Sequence, residues 1–154
     1  MNVLIENPIN KLINTASGFD TLAIRVGAGV IFAAHGSQKL FGWFGGYGLE
    51  GTAGWMTSIG LDPGLLMALM AGGAEFLGGL LLIIGFLVRP AALLLAITML
   101  VAIFTVHLPN GLFMANNGYE FGLALLALSV ALVIRGAGSF SADRLLQARL
   151  SQSH

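Results

Sequence analysis

The chain has 154 residues, 56% hydrophobic and 9% charged, with a formal net charge of zero and no cysteine. A soluble domain carries about 25% charged residues, so a soluble fold of this size would lack the charge to cover its surface, and a neutral balance without a basic run disfavours a nucleic-acid partner. Disulfides, thiol redox chemistry, iron–sulfur clusters and cysteine–zinc sites fall away with the missing cysteine, and a mean hydropathy of +0.88 points to an integral membrane protein.

Residues 1–18 hold Glu6, Pro8 and a lone cation, Lys11. They lack the basic region that opens a secretory signal and read as a cytoplasmic or interfacial lead-in. Four stretches then supply the roughly 20 residues a helix needs to cross a bilayer, 19–40, 64–88, 90–108 and 119–135. Runs such as 80–84 and 91–97 are apolar on every side, unlike helices of a soluble bundle, and nothing alternates with the period of outer-membrane strands. The boundary signals are Asp20 as a cap, Asp62–Pro63 as a cap followed by proline at the first helical position, Arg89–Pro90 after a very short turn, and Arg135–Gly136 as a cationic end followed by glycine. Between the first two spans, the aromatic and glycine-rich stretch 41–49 precedes a short interfacial helix predicted at 52–59, with Trp55, Met56 and Ile59 toward lipid or the bundle. The expected fold is therefore all-α, a polytopic four-helix membrane bundle (19–136) with a short outer interfacial helix and a cytoplasmic tail at 137–154.

Orientation follows from the cations. With both termini inside, the cytoplasmic side receives Lys11, Arg25, Arg89, Arg135, Arg144 and Arg149, and the outer side only Lys39. The expected location is a bacterial inner membrane, crossed several times, with both termini cytoplasmic.

Ionisable groups within such helices cost roughly 2.5–3.5 kcal/mol or more at the helix centre, so each needs a partner, a route to the interface or a function. Arg25, His35 and Lys39 share one face of the first helix with Phe32; Arg25 and Lys39 could also snorkel to opposite headgroup layers, and His35 could be a packing histidine. Glu75 falls near mid-membrane, among Ala71, Gly72, Gly78 and Gly79 on a small-residue face that suits close helix packing. It is expected to contact Arg25 or His35, either protonated and hydrogen-bonded or ionised and paired, and it could equally be a packing bond between helices. His107 closes the third span at headgroup level. Glu120 opens the fourth, where the helix dipole favours a carboxylate, and its face of Ala124, Ala127 and Ala131 is expected to turn inward. His35, Lys39, His107 and Glu120, with Glu75 deeper, read as a polar funnel open to the outer side, and Arg25, His35, Lys39, Glu75, His107 and Glu120 are the ligand-binding or proton-relay candidates. No paired spacing of the His-x3-His kind favours a metal site, and no nucleophile motif marks a catalytic residue.

The pattern Arg25-x3-Gly29-x2-Phe32-x2-His35-Gly36-x2-Lys39-Leu40 resembles the first-helix signature of the DoxX family. Gly51–Thr52–Ala53–Gly54, Gly72-x2-Glu75-x2-Gly78–Gly79 and Asn117–Gly118–Tyr119–Glu120 are similar to its outer loop, second helix and fourth-helix start. The resemblance spans roughly 20–140. It implies a four-helix bacterial inner-membrane protein, some of whose relatives are linked to quinone-coupled oxidoreductase systems and oxidative-stress complexes.

Three functions of different classes follow. The first is a membrane subunit that binds a quinone through donors such as His35, Lys39 or His107 and supports a redox protein partner; with no cysteine and no dinucleotide fingerprint, electrons must come from elsewhere. The second is a small proton-coupled transporter, in which a homo-oligomer would help, since four helices without a repeat leave little room for alternating access. The third is a structural or assembly partner of a membrane complex, whose polar funnel is packing only.

Overall fold

The computed structural model describes residues 20–152; the expected lead-in, and the side chain of Asp20 with its predicted cap, lie outside the described residues. Six α-helices follow one another, and no strand occurs among the described residues: α1 (Asp20–Phe41), α2 (Gly48–Ser58), α3 (Gly64–Ile84), α4 (Val88–Ala102), α5 (Glu120–Arg135) and α6 (Ala142–Gln152). A π-helical turn, Ile103–His107, prolongs α4. Among the described residues, two helices, Gly64–Ile84 and Val88–Asn110 with that extension, are long and apolar enough to cross a membrane.

The helix ends depart from the sequence expectation for local reasons. Helix α3 stops at Ile84, four residues early, because Gly85 takes the left-handed conformation (φ 75°) and closes the helix with its N–H on the Leu81 carbonyl at 2.9 Å. Leu87, also left-handed, then starts α4 two residues before Pro90. At the start of α3 the capping position belongs to Pro63, not Asp62, and no side chain caps it. The short helix begins at Gly48 and not at 52. The fourth span ends on Arg135 and Gly136 as expected.

Helix α1 packs on α3, α3 on α4, α4 on α5 and α1 on α5, while α2 lies across α1 and α3. Glycine sets the α1–α3 contact: a Cβ added to Gly29 would stand 2.8 Å from the Gly79 carbonyl oxygen, and one on Gly79 would stand 2.6 Å from that of Gly29. The core between the helices holds Phe32, Leu82, Val88, Leu95, Met99, Leu125 and Leu132. Outward, α3 exposes Leu65, Leu69 and Leu77, α4 exposes Leu93, Leu100 and Phe104, and α5 exposes Leu123, Val130 and Ile134. An apolar belt of this extent marks a surface that meets a membrane or another protein.

At the end of the molecule that carries the 85–87 turn, the segment after α5 folds back as a latch. Ala137, Ser141 and Asp143 are buried. Asp143 accepts hydrogen bonds from the backbone N–H of Leu87 (2.8 Å) and of Val88 (3.1 Å), so it caps α4 from a distant part of the chain. Arg25 donates to the Phe140 carbonyl at 2.9 Å, Thr21 to that of Ala137 at 3.1 Å and Arg89 to that of Val133 at 2.8 Å.

Candidate functional site

At the opposite end, called here the loop end, the helices enclose a cavity of about 910 Å³. Its polar centre is the ion pair of Lys39 and Glu75, Nζ to Oε2 at 2.5 Å. The sequence placed Glu75 against Arg25 or His35. Its partner is instead Lys39, because the glycine contacts bring the last turn of α1 beside the middle of α3, whereas Arg25 lies at the far end under the latch. Glu75 is 5% exposed and Lys39 26%, so the carboxylate sits in the wall while the ammonium reaches into the cavity. The Lys39 carbonyl accepts a bond from Thr52 Oγ1 at 3.2 Å, which ties α2 over this end of α1.

His35, one turn before Lys39, also lines the cavity, feels the charges of both Lys39 and Glu75, and stands with its ring centroid 6.0 Å from that of Phe121. His107 lines the rim, where the π-turn carries it; its Nδ1 bonds the Asn117 carbonyl at 2.9 Å, and since a carbonyl only accepts, that nitrogen bears the proton. Single π-turns are frequent at functional sites.

Two of the six candidates stand apart from this group. Arg25 is 1% exposed within the latch. Glu120 accepts the Met114 N–H at 2.7 Å and fastens the loop before α5, but does not line the cavity. Its alanine face does not turn inward: Ala124 and Ala127 are exposed, and α5 buries Gly122, Leu125, Ser129 and Leu132. Ser129 can enter that buried face because its hydroxyl bonds the Leu125 carbonyl at 2.8 Å.

Sequence reasoning missed three features of the site. Gln38 lines it and donates to the Phe44 carbonyl at 3.3 Å, holding the aromatic loop over α1. Phe121 forms the wall opposite His35. Every methionine among the described residues, Met56, Met67, Met70, Met99 and Met114, lines the cavity; the signal in the sequence is their confinement to 56–114. Thioethers give an adaptable wall with affinity for aromatic ring edges.

The model of the family described as DoxX matches residues 21–108, which include all of α1 to α4 apart from the first residue, with the Lys39–Glu75 pair and His35 and His107. The chain belongs to the DoxX family. It is accordingly a membrane protein, in keeping with its apolar belt. It is 35% identical over 130 residues to "Putative oxidoreductase CatD" of Bacillus subtilis (strain 168), covering 84% of this chain and 89% of that one. It is 34% identical over 131 residues to "Inner membrane protein YqjF" of Escherichia coli (strain K12), covering 81% and 90%. No solved structure matches it.

Proposed function

We propose that α1, α3, α4 and α5 cross the bacterial inner membrane as a four-helix bundle, with the latch end in the cytoplasm and the loop end outside, and that the loop-end cavity binds a quinone ring in support of a redox protein partner. Cation placement supports the orientation: Arg25, Arg89, Arg135, Arg144 and Arg149 gather at the latch end, and only Lys39 of the described cations lies at the other. The oxidoreductase name of one relative and the inner-membrane name of another agree with this reading.

The observation that carries the function is an ion pair opening on one side into a mostly apolar cavity rich in methionine and aromatic residues. A ring oxygen can accept a bond from the Lys39 ammonium or from a His35 N–H. A ring hydroxyl can donate to Glu75. The same three residues thus complement the oxidised and the reduced ring, while the apolar walls hold the ring faces and exclude water. This chain supplies binding and proton-bearing groups, and the partner supplies electrons.

Trp55 lines the cavity, so a bound quinone should quench its fluorescence. Titration of a decyl-tailed benzoquinone into the full chain in nanodiscs, with Trp43→Phe to isolate Trp55, should give saturable quenching that weakens in Glu75→Gln and His35→Ala. Quenching that rises without saturation, alike in all three proteins, would end the quinone reading.

A further inference from the structure

The cavity has a second opening. Along α4, Leu94, Ile97, Thr98, Val101, Ala102 and Thr105 recur at helical spacing and all line it. On α3, Met67, Met70, Ala71 and Ala74 form the facing stripe. Ala74 in these stripes is buried, but Met70 is 60% exposed, Ile97 50% and Val101 49%. Residues this exposed that also line the cavity leave it open along the α3–α4 seam.

The geometry of the helix pair explains the gap. Near the 85–87 turn the two helices touch: a Cβ on Gly78 would stand 3.0 Å from Leu95. Toward the loop end the residues that line the cavity from the two helices include small ones, Ala71 and Ala74 on α3 and Ala102 on α4. The stripe from Leu94 to Thr105 runs about 16 Å at the helical rise, close to half of a hydrocarbon core about 30 Å thick. A slot of that length, with mostly apolar edges, suits a hydrocarbon chain when these helices lie in a bilayer.

We infer that the cavity is loaded sideways from the lipid, through the seam between α3 and α4, by a single-tailed amphiphile. Its ring or other hydrogen-bonding head docks at Lys39, Glu75 and His35, and its hydrocarbon tail lies in the seam. The nature of the head rests on the quinone reading above; the lateral portal and the tail rest on the seam alone. The same cavity is lined by a buried carboxylate and by an exposed, mostly apolar slot, so a molecule with a polar head and an apolar tail fits it.

The absence of cysteine allows a direct test. Met99→Cys places a single thiol in the cavity wall at a position only 6% exposed. In nanodiscs, membrane-partitioned N-dodecylmaleimide should label it, and filling the seam with Ala102→Phe, or independently with Thr98→Phe, should slow that labelling several-fold. Leu100→Phe, on the same helix but outside the cavity, should leave the rate unchanged, and a charged water-borne thiosulfonate should not show the seam dependence. In the same discs, with Met99 intact, the decyl-tailed benzoquinone should bind roughly tenfold or more tighter than its tail-free parent after correction for partitioning, since each buried methylene adds to affinity. Seam filling should erase that preference. Labelling that ignores both seam variants, or falls equally in Leu100→Phe, overturns the portal. Seam-dependent labelling without binding of either quinone keeps the portal and defeats the quinone head. Quinone binding with no tail preference and no seam dependence defeats the portal alone.

Discussion

Arg25 and Lys39 stand fourteen residues apart on α1, close to four helical turns, and therefore on one face of the same helix. Their surroundings are opposite. Arg25 is covered by the C-terminal segment, bonds the Phe140 carbonyl, and keeps two buried nitrogens, Nε and Nη1, without a hydrogen-bond acceptor. A Cβ on Gly85 would collide with its guanidinium, so the glycine there serves the latch as well as the turn. Lys39 is paired with a single carboxylate and left open to a cavity. One cation closes an end of the molecule; the other lines an open cavity. In a chain this apolar, an ionisable residue signals a polar centre, but whether the centre is sealed or open depends on what the rest of the chain folds over it.

The largest effect is expected at the open end. Glu75→Ala leaves the Lys39 ammonium without its carboxylate and should cost about 3 kcal/mol, the low end for breaking a buried pair because Lys39 keeps one side toward the cavity. Replacing both Lys39 and Glu75 by methionine should recover most of that stability, read by thermal unfolding in detergent, yet leave the Trp55 quenching lost. Gly79→Ala attacks the frame that brings the pair together: its Cβ would press on the Gly29 carbonyl and the Ala33 backbone, for about 2 kcal/mol and weakened quinone binding.

At the sealed end the effects are smaller and should spare the ligand. Arg25→Met removes the Phe140 bond for about 1 kcal/mol, little because two of its nitrogens already lack acceptors. Hydrogen exchange should rise across 137–152 while quinone affinity holds; a fall in affinity at matched stability would couple the two ends and undo the contrast. The smallest effect is a pH slope. Burial pushes the Asp143 carboxyl above its ordinary value of 3.8, outweighing the Val88 and Leu87 N–H bonds and the nearby Arg25 charge that lower it. A carboxyl raised on folding holds its proton more tightly in the folded state. Its contribution is fully present below 3.8 and is lost as pH rises through the raised value. Asp143→Asn should flatten that part of the stability–pH curve.

Much of this contrast was legible before any coordinates. The helical segments, the short α2 and the inward face of Arg25, Phe32 and Lys39 follow from hydropathy and a period of 3.6. The clustering of His35, Lys39 and Glu75 follows from the cost of ionisable groups in such helices. Partner choice was not legible, since Glu75 could have met any cation on α1, and only the glycine contacts of Gly29 and Gly79 set the register that selects Lys39. The inward face of α5 was misread because alanine spacing alone cannot tell a packing face from one that stays exposed, and Ser129 hides its polarity in a bond to its own helix. The latch was illegible for a different reason: Asp143 caps a helix 55 residues earlier in the chain, and no local pattern announces a bond of that span.

If the Lys39–Glu75 pair organises a ligand-binding cavity, native mass spectrometry of the chain extracted gently from its own membrane should reveal the ligand. The expected spectrum shows a small-molecule adduct on the wild-type chain and on Arg25→Met, absent from the Lys39→Met, Glu75→Met double variant. A bare chain mass throughout, or an adduct that survives the double variant, would contradict it.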